Sequence, residues 1–357
     1  MSDSKKLKIA FIACGNITRE HIDALKEIPE AEIVAGCDIA PAALANFQAR
    51  TGLPETACYT DWNKMIAEVA PDAVDICLPN HLHCRAALDA FAAGCHVYVE
   101  KPMAMNAKEC ELMIAAAKKA GKKLAVGFQQ EYCPNTKVLV KAREEGFFGD
   151  FRYMRGLLLR RRGIPGYGVF YSRECGGGPL MDIAVHLLDI MTYVVDRPEL
   201  ARVSATFCDI KGKEPCDVYS GAWGGWNHAD YNVEDIAAVQ INFKTGLVLQ
   251  MATSYVNHMK EDVVYQFDVT GTKGGARWAA GQIPELFCDR FGAMMNVVPN
   301  LLAPLGRPDM FRNKLNNFVE GCRKDTPLLL SGEQGLYVQT ILDAIFESAA
   351  TGREIVF

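Results

Sequence analysis

Asp182 and His186 stand four residues apart in the run Asp182-Ile183-Ala184-Val185-His186, so on a helix they share one face. An imidazole titrates near neutral pH and can take the proton of a hydroxyl; a carboxylate one turn away can orient it, tune it, or contact a substrate hydroxyl itself. Ile183, Leu187, Ile190 and Val194 recur at helical spacing and supply a core stripe, which aims the polar pair beside the core, toward a cleft. The same spacing also suits a partly buried histidine bonded to a helical neighbour. Gly176-Gly177-Gly178, just upstream, favours close approach of a ligand to backbone. A second candidate is Lys101 in Glu100-Lys101-Pro102, after a run ending at Val99. Strand ends are where α/β sheets place ligands, and an ammonium there can stabilise charge growing on an oxygen, or simply pair with Glu100. Pro102, with a fixed φ and no N–H, stiffens that turn.

A third candidate is the turn Ala13-Cys14-Gly15-Asn16-Ile17-Thr18. A dinucleotide site needs a glycine turn between strand and helix, so that pyrophosphate sits on the helix N-terminus, and an acid near the end of the second strand for the ribose hydroxyls. Against G-x-G-x-x-G only Gly15 matches, with Ala13 and Thr18 at the first and third glycine places. Asp38 follows Gly15 by 23 residues, near the expected position. A carboxylate there repels a 2′-phosphate and favours NAD over NADP. It also suits a strand-end acid capping the next helix.

The elements that must hold these groups alternate. Apolar runs at 7–13, 32–38, 73–78, 96–100 and 124–128 read as buried parallel strands, with helices near 18–27, 83–93 and 107–120 between them. That is a doubly wound Rossmann dinucleotide-binding domain over residues 1–130. The pattern then changes. A helix near 134–145, a polar Gly-rich stretch through Gly178, a helix over 179–195, a hairpin of 237–243 and 247–251, a strand at 263–270 and a closing helix at 333–350 predict an α+β domain over 131–357, with a large open, mostly antiparallel sheet. The closing helix is free to pack back on the first domain.

The chain has 357 residues, half of them hydrophobic, and a formal net charge of −5. Two domains follow from the length. The one basic run, Arg160-Arg161-Arg162, is too short to suggest nucleic acid as a partner. No apolar stretch reaches the ~18 residues of a membrane span. The 13 cysteines show no framework spacing, and residues 1–8 lack a charged-then-apolar leader, which suggests reduced thiols in the cytoplasm. His81 and His83 lack the Cys-x-x-Cys of a zinc site, so no metal is expected. The loop from Arg160 to Gly168, with Arg162 and Tyr167, offers donors and an aromatic face suited to a carbohydrate substrate; it also suits a solvated basic loop. Trp223, Trp226 and His228 lie in a second aromatic stretch able to cover a cleft.

The segments Ala73-Val74-Asp75-Ile76-Cys77-Leu78-Pro79-Asn80-His81-Leu82-His83 and Gly94-Cys95-His96-Val97-Tyr98-Val99-Glu100-Lys101-Pro102-Met103-Ala104, with Val126-Gly127-Phe128, the 176–186 run and Gly271-Thr272-Lys273-Gly274-Gly275, resemble the glucose–fructose oxidoreductase and inositol dehydrogenase (Gfo/Idh/MocA) family over nearly the whole chain. The resemblance implies that Glu100 and Lys101 border a nicotinamide and that Asn80 and His83 lie near the cofactor; Cys14, Gly15, Asn16, Ile17, Asp38, Leu78, Pro79 and Gln129 are expected to complete the cofactor site, and Lys101, Arg162, Tyr167, Asp182 and His186 to face the substrate. It implies a homodimer or homotetramer joined through the second sheet. The expected reaction is oxidation of a secondary hydroxyl of a sugar, glycoside or cyclitol by hydride transfer to NAD, with Lys101, His186 and Asp182 catalytic. An NAD-dependent glycosidase working by transient oxidation, and a non-catalytic NAD-binding regulator, are the alternatives.

Overall fold

The computed structural model describes residues 5–216, 218, 225–300 and 306–357. Along the first part run β1 (Leu7–Ile12), α1 (Asn16–Lys26), β2 (Ala31–Cys37), α2 (Pro41–Thr51), β3 (Cys58–Tyr59), α3 (Trp62–Val69), β4 (Ala73–Ile76), α4 (His83–Ala92), β5 (His96–Val99), α5 (Ala107–Ala120) and β6 (Leu124–Val126). There follow α6 (Pro134–Glu144), β7 (Phe151–Arg160), α7 (Val185–Val194), β8 (Leu200–Cys208), β9 (Ile236–Phe243), β10 (Val248–Ser254), β11 (Val263–Gly271), β12 (Gly274–Ala279), β13 (Glu285–Arg290) and β14 (Ala293–Val297). The chain closes with α8 (Arg307–Lys324), α9 (Gly332–Thr351) and β15 (Ile355–Val356).

The chain divides into two compact units, one of residues 1–129 with 305–339 and one of 130–304 with 340–357. In the first, six parallel strands lie in the order β3-β2-β1-β4-β5-β6, the doubly wound arrangement, with β1 and β4 meeting where the strand order reverses. Ligands of such sheets bind beyond the carboxyl ends at that point, so the turns after β1, β2, β4 and β5 are the functional edge. Strands this apolar must be covered on both faces. Phe11, Ile22, Leu25 and Phe47 pack from the local elements, and Phe311, Leu315, Phe318 and Val319 of α8 join the same core from far along the chain. Helix α8 was absent from the sequence reading, although its apolar residues recur every three or four positions.

The second unit is built on a nine-stranded sheet, β14-β13-β12-β11-β7-β10-β9-β8-β15, antiparallel throughout except where β7 and β10 run parallel. The expected open, mostly antiparallel sheet is present. Helix α7 covers one face. Its approach needs Gly156 in β7, because a β-carbon there would fall 2.3 Å from Met191 Sδ and 3.1 Å from Leu187 Cδ1. Ile183, Leu187, Ile190 and Val194 are buried, as the periodicity predicts, but so is nearly every other residue of that helix; between Leu180 and Thr192, His186 alone is half-exposed.

The turn after β1 carries a local conflict. Ala13 occupies the place of the first glycine and adopts a left-handed φ of 78°, a conformation that costs a residue with a β-carbon about 1–2 kcal/mol. Thr18, at the third glycine place, closes the turn instead by donating its hydroxyl to the Ala13 carbonyl at 2.9 Å. Ala13→Gly should therefore raise stability by about 0.5–1 kcal/mol, the relief of strain exceeding the added flexibility of the unfolded chain, whereas Ala13→Val should lower it; urea midpoints of the three proteins decide the sign.

Candidate active site

Gly15 precedes α1 in extended conformation, and no side chain caps the helix. A β-carbon on Gly15 would meet nothing within 4 Å. The first turn of a helix with open space before its N–H groups suits a pyrophosphate. Gly15 and Asn16 are exposed and Ile17 half-buried, but Cys14 is buried and its backbone N–H is taken: it donates to Asp38 Oδ2 at 2.8 Å. Asp38 Oδ1 accepts the Ala40 N–H, also at 2.8 Å. Each carboxylate oxygen keeps a second lone pair, which leaves capacity for ribose hydroxyls. The residues of this edge therefore fit a dinucleotide. Leu78, Pro79 and Asn80 are half-buried just beyond β4, and Gln129 is half-buried at the end of the first unit.

Two expected cofactor residues turn out to act from behind. The His83 ring is fully buried, with Nδ1 2.9 Å from the Pro102 carbonyl and Nε2 2.8 Å from the Leu78 carbonyl, so it ties the loop after β4 to the loop after β5. Burial disfavours a charged ring more strongly than those carbonyls favour it, and His83 titrates below the ordinary histidine value. The Glu100 carboxylate also points inward. Its Oε1 accepts from His21 Nε2 at 3.1 Å and from Lys314 Nζ at 2.7 Å, while Oε2 accepts the Lys101 N–H at 3.2 Å. His21 Nδ1 lies 2.7 Å from Asp75 Oδ2. Burial works against the Glu100 charge, yet Lys314 and His21 outweigh it and hold the carboxyl well below the usual carboxylate range. Burial likewise disfavours the His21 cation, but Asp75 and Glu100 prevail over both burial and Lys314, and its pKa is raised. Gly127 leaves room for this cluster, since a β-carbon there would lie 2.5 Å from Glu100 Oε1. Lys101 itself is half-exposed.

Among the described residues, His21, Asp75 and Cys77 form one group close enough to share a metal, with ligand atoms within 4.8 Å of one another. Both nitrogens of His21 are already committed to carboxylates, and the Lys314 ammonium meets the same Glu100, so the surroundings oppose a further cation.

In the second unit the helix expected over 179–195 begins differently. Leu180–Ala184 form a wide turn of π-helix, followed by α7 from Val185. The shared-face argument for Asp182 and His186 assumed α-helical geometry throughout; Asp182 instead sits in the π turn and His186 in the first α turn. Such turns recur at functional sites because they re-aim side chains. Asp182 is buried, and its Oδ2 accepts the Tyr255 hydroxyl at 2.8 Å. The Tyr255 ring is buried at the end of β10 and lies 5.4 Å beneath the Arg160 guanidinium. Burial and the adjacent Asp182 charge push the Tyr255 phenol well up, so it serves as a fixed donor. Sequence reasoning missed Tyr255, which carries no motif, and also Glu234. The latter is buried, accepts the Leu180 N–H at 3.2 Å and takes Arg173 at 3.3 Å, anchoring the start of the π turn.

The glycine run is explained by the protein's own packing. A β-carbon on Gly177 would fall 2.6 Å from the Phe170 carbonyl, and one on Gly178, whose φ is 104°, would fall 2.8 Å from the Glu234 carboxylate. Arg162 also differs from expectation: its guanidinium donates to the carbonyls of Arg161 and Asn257 at 2.7 and 2.8 Å, bracing the turn after β10. Tyr167 is exposed, against Phe170 edge-on. Trp226 is half-buried and donates to the Gly212 carbonyl at 2.8 Å, and His228 is exposed. Trp223 lies outside the described residues.

A parallel sheet of this order, with an open glycine turn after β1 and an acid just beyond β2, suits a dinucleotide-binding domain, and known families agree. Residues 7–128 match the description "Oxidoreductase family, NAD-binding Rossmann fold", and residues 168–357 match "Oxidoreductase family, C-terminal alpha/beta domain". The chain belongs to the Gfo/Idh/MocA family of oxidoreductases and takes NAD as its cofactor. It is 32% identical over 356 residues to D-glucoside 3-dehydrogenase of Escherichia coli K12, covering 99% of this chain and 98% of that protein. Aldose–aldose oxidoreductase from Caulobacter crescentus, solved with glycerol, superposes with a TM-score of 0.82 at 25% identity, over 99% and 100% of the two chains. Levoglucosan dehydrogenase in complex with NADH shares the fold, with a TM-score of 0.86 at 23% identity over 99% of each chain. No helix among the described residues is long and apolar enough to cross a membrane.

Tyr255→Phe should leave the buried Asp182 carboxylate one donor short, at a cost of about 1.5–3 kcal/mol, the range for hydrogen bonds to charged groups. If that bond is the link, Asp182→Asn combined with Tyr255→Phe should cost clearly less than the two singly, a coupling readable in denaturation curves.

Proposed function

We propose that this protein oxidises a secondary hydroxyl of a pyranoside, most simply a glucoside at carbon 3, or acts in the reverse direction. The observation that carries the reading is the placing of Asp182 and His186 where a π turn meets the α-helix, with His186 half-exposed while every other residue from Leu180 to Thr192 is buried. The likeness to a D-glucoside 3-dehydrogenase supports the substrate class. Bound NAD⁺ supplies the hydride acceptor. His186 removes the hydroxyl proton as the carbon is oxidised, which requires a neutral ring. Asp182, fixed by Tyr255, orients that ring or a neighbouring hydroxyl. The Lys101 ammonium stabilises charge developing on the reacting oxygen. Tyr167, exposed and aromatic, offers a face for sugar C–H groups. We place the protein in the cytoplasm, in keeping with thirteen free cysteines, and expect a metal-independent homodimer or homotetramer joined through the open face of the second unit's sheet.

Removing a general acid–base group costs about 10²–10⁴ in rate, or about 3–5 kcal/mol of barrier. His186→Ala and Lys101→Ala should each lose kcat in that range while NADH binding, read by fluorescence, stays near normal. Near-normal kcat in either variant removes that residue from the mechanism. His186→Ala should also flatten the acidic limb of the pH–rate profile. The assay is NADH formation with glucosides, free sugars and cyclitols, alongside nitrophenol release from nitrophenyl glycosides; release without net NADH would point to transient-oxidation glycosidase chemistry instead.

NAD⁺ should be preferred over NADP⁺, and Asp38→Ala should narrow the preference. Equal kcat/KM for the two cofactors in the unmodified enzyme would contradict the role given to Asp38.

A further inference from the structure

The residues proposed for chemistry leave unexplained the set of buried charges that reaches Lys101 from behind. Asp75, His21, Glu100 and Lys314 come from β4, α1, the end of β5 and α8, and all four are buried. They alternate in sign along a chain of contacts: Asp75 Oδ2 to His21 Nδ1 at 2.7 Å, His21 Nε2 to Glu100 Oε1 at 3.1 Å, Glu100 Oε1 to Lys314 Nζ at 2.7 Å. Ionised carboxylates only accept, so a ring held between two of them donates from both nitrogens and is an imidazolium. The set is then neutral overall. Lys314 also sits 4.0 Å from the centre of the Phe311 ring and 5.5 Å from that of Tyr98, which supports an ammonium away from water. The last link leaves the cluster: Glu100 Oε2 accepts the backbone N–H of Lys101 at 3.2 Å.

We propose that Lys314 and His21 are positioning residues for the proposed oxidation: by keeping Glu100 ionised and turned inward, they fix the backbone of Lys101 and hence the place of its ammonium. This rests on the role given to Lys101 above. Lys314 never meets the substrate in this account; it acts through Glu100. A protonated Glu100 would carry a donor of its own, lose its charge-assisted bonds to Lys314 and His21, and hold the Lys101 N–H weakly. Facing Glu100 are His21 from α1, Lys314 from α8, His83 from α4, Asp75 through His21, and the Cys77 thiol, which burial and then Asp75 push up so that it stays neutral. Without Lys314, burial opposes the Glu100 charge with His21 alone to counter it, and the carboxyl takes up a proton as pH falls.

Lys314→Met keeps an unbranched side chain of nearly the same length and removes the charge. The variant should lose about 10–100-fold in kcat, the scale of a small misplacement of a reacting group, with NADH affinity nearly unchanged. Its kcat should also gain a second acidic limb beyond the one that His186 gives the unmodified enzyme, falling at low pH to the level of Glu100→Gln at the same pH. A readout free of turnover is the amide ¹H–¹⁵N signal of Lys101 in the protein without cofactor. It should titrate with Glu100 in Lys314→Met and stay constant in the unmodified protein over the same pH range. Should Lys314→Met fail to fold by circular dichroism, His21→Gln carries the same test, with the same acidic limb and the same titrating amide expected. A folded variant with unchanged kcat, no new limb and a pH-independent Lys101 amide would overturn the proposal. If Lys101→Ala keeps near-normal kcat while the amide still titrates in Lys314→Met, the catalytic role of Lys101 fails and the coupling through Glu100 stands.

Discussion

A carboxylate turned away from water at the end of a central strand is stable as an anion only where opposite charges meet it, and Glu100 is met by two. That constraint accounts for much of the first unit. Asp75 must lie in β4 to face His21, α1 must present His21 one turn beyond the cofactor turn, Gly127 must lack a side chain, and α8 must bring Lys314 onto the same core as Phe11 and Tyr98. Breaking such a set by removing one partner leaves an uncompensated buried charge, which is far costlier than never having had the pair. A protein that keeps it gains definition of the loop next to the cluster, and here that loop is Lys101-Pro102.

The second unit uses the same device with different chemistry. Asp182 is buried, and Tyr255 gives it a donor whose proton is held firmly. Glu234 anchors the entry to the π turn and Gly178 makes room for it. Farther along α7, Asp189 and Glu131 share the guanidinium of Arg197, and burial pushes Glu131 well up, so that one guanidinium need not balance two full charges. The helix bearing His186 is thus held at both ends by buried polar groups and along its length by apolar packing. Preorganisation of this kind is what the role proposed for His186 requires, since a proton acceptor works only within a narrow geometry.

Several residues that looked suited to ligand contact support the frame instead. Arg162 braces a turn, His83 ties two loops together, and Gly177 and Gly178 admit neighbouring backbone and the Glu234 carboxylate. The common reason is that residue type and spacing report what a side chain is able to do, while its partners are set by elements distant in sequence. A buried histidine between carbonyls and a cofactor-facing histidine have the same local signature.

Strand and helix alternation over the first 128 residues, apart from α2, β3 and α3 between residues 41 and 69, was legible, as were Asp38 beyond β2, Glu100-Lys101-Pro102 beyond β5 and the Asp182–His186 spacing, because each depends on periodicity or on turn chemistry within a few residues. Helix α8 went unread although its stripe of Phe311, Leu315, Phe318, Val319 and Cys322 after Pro308 stands in the sequence; nothing in that stripe says which sheet it covers. The left-handed Ala13, the π turn at Asp182 and the return of residues 305–339 to the first unit came only with the tertiary structure. So did the partnership of Glu100 with Lys314, 214 residues away. Local sequence sets which backbone conformations and apolar faces are cheap, but the pairing of buried charges is decided by which elements pack together. That choice is a property of the whole core and is written in no single segment.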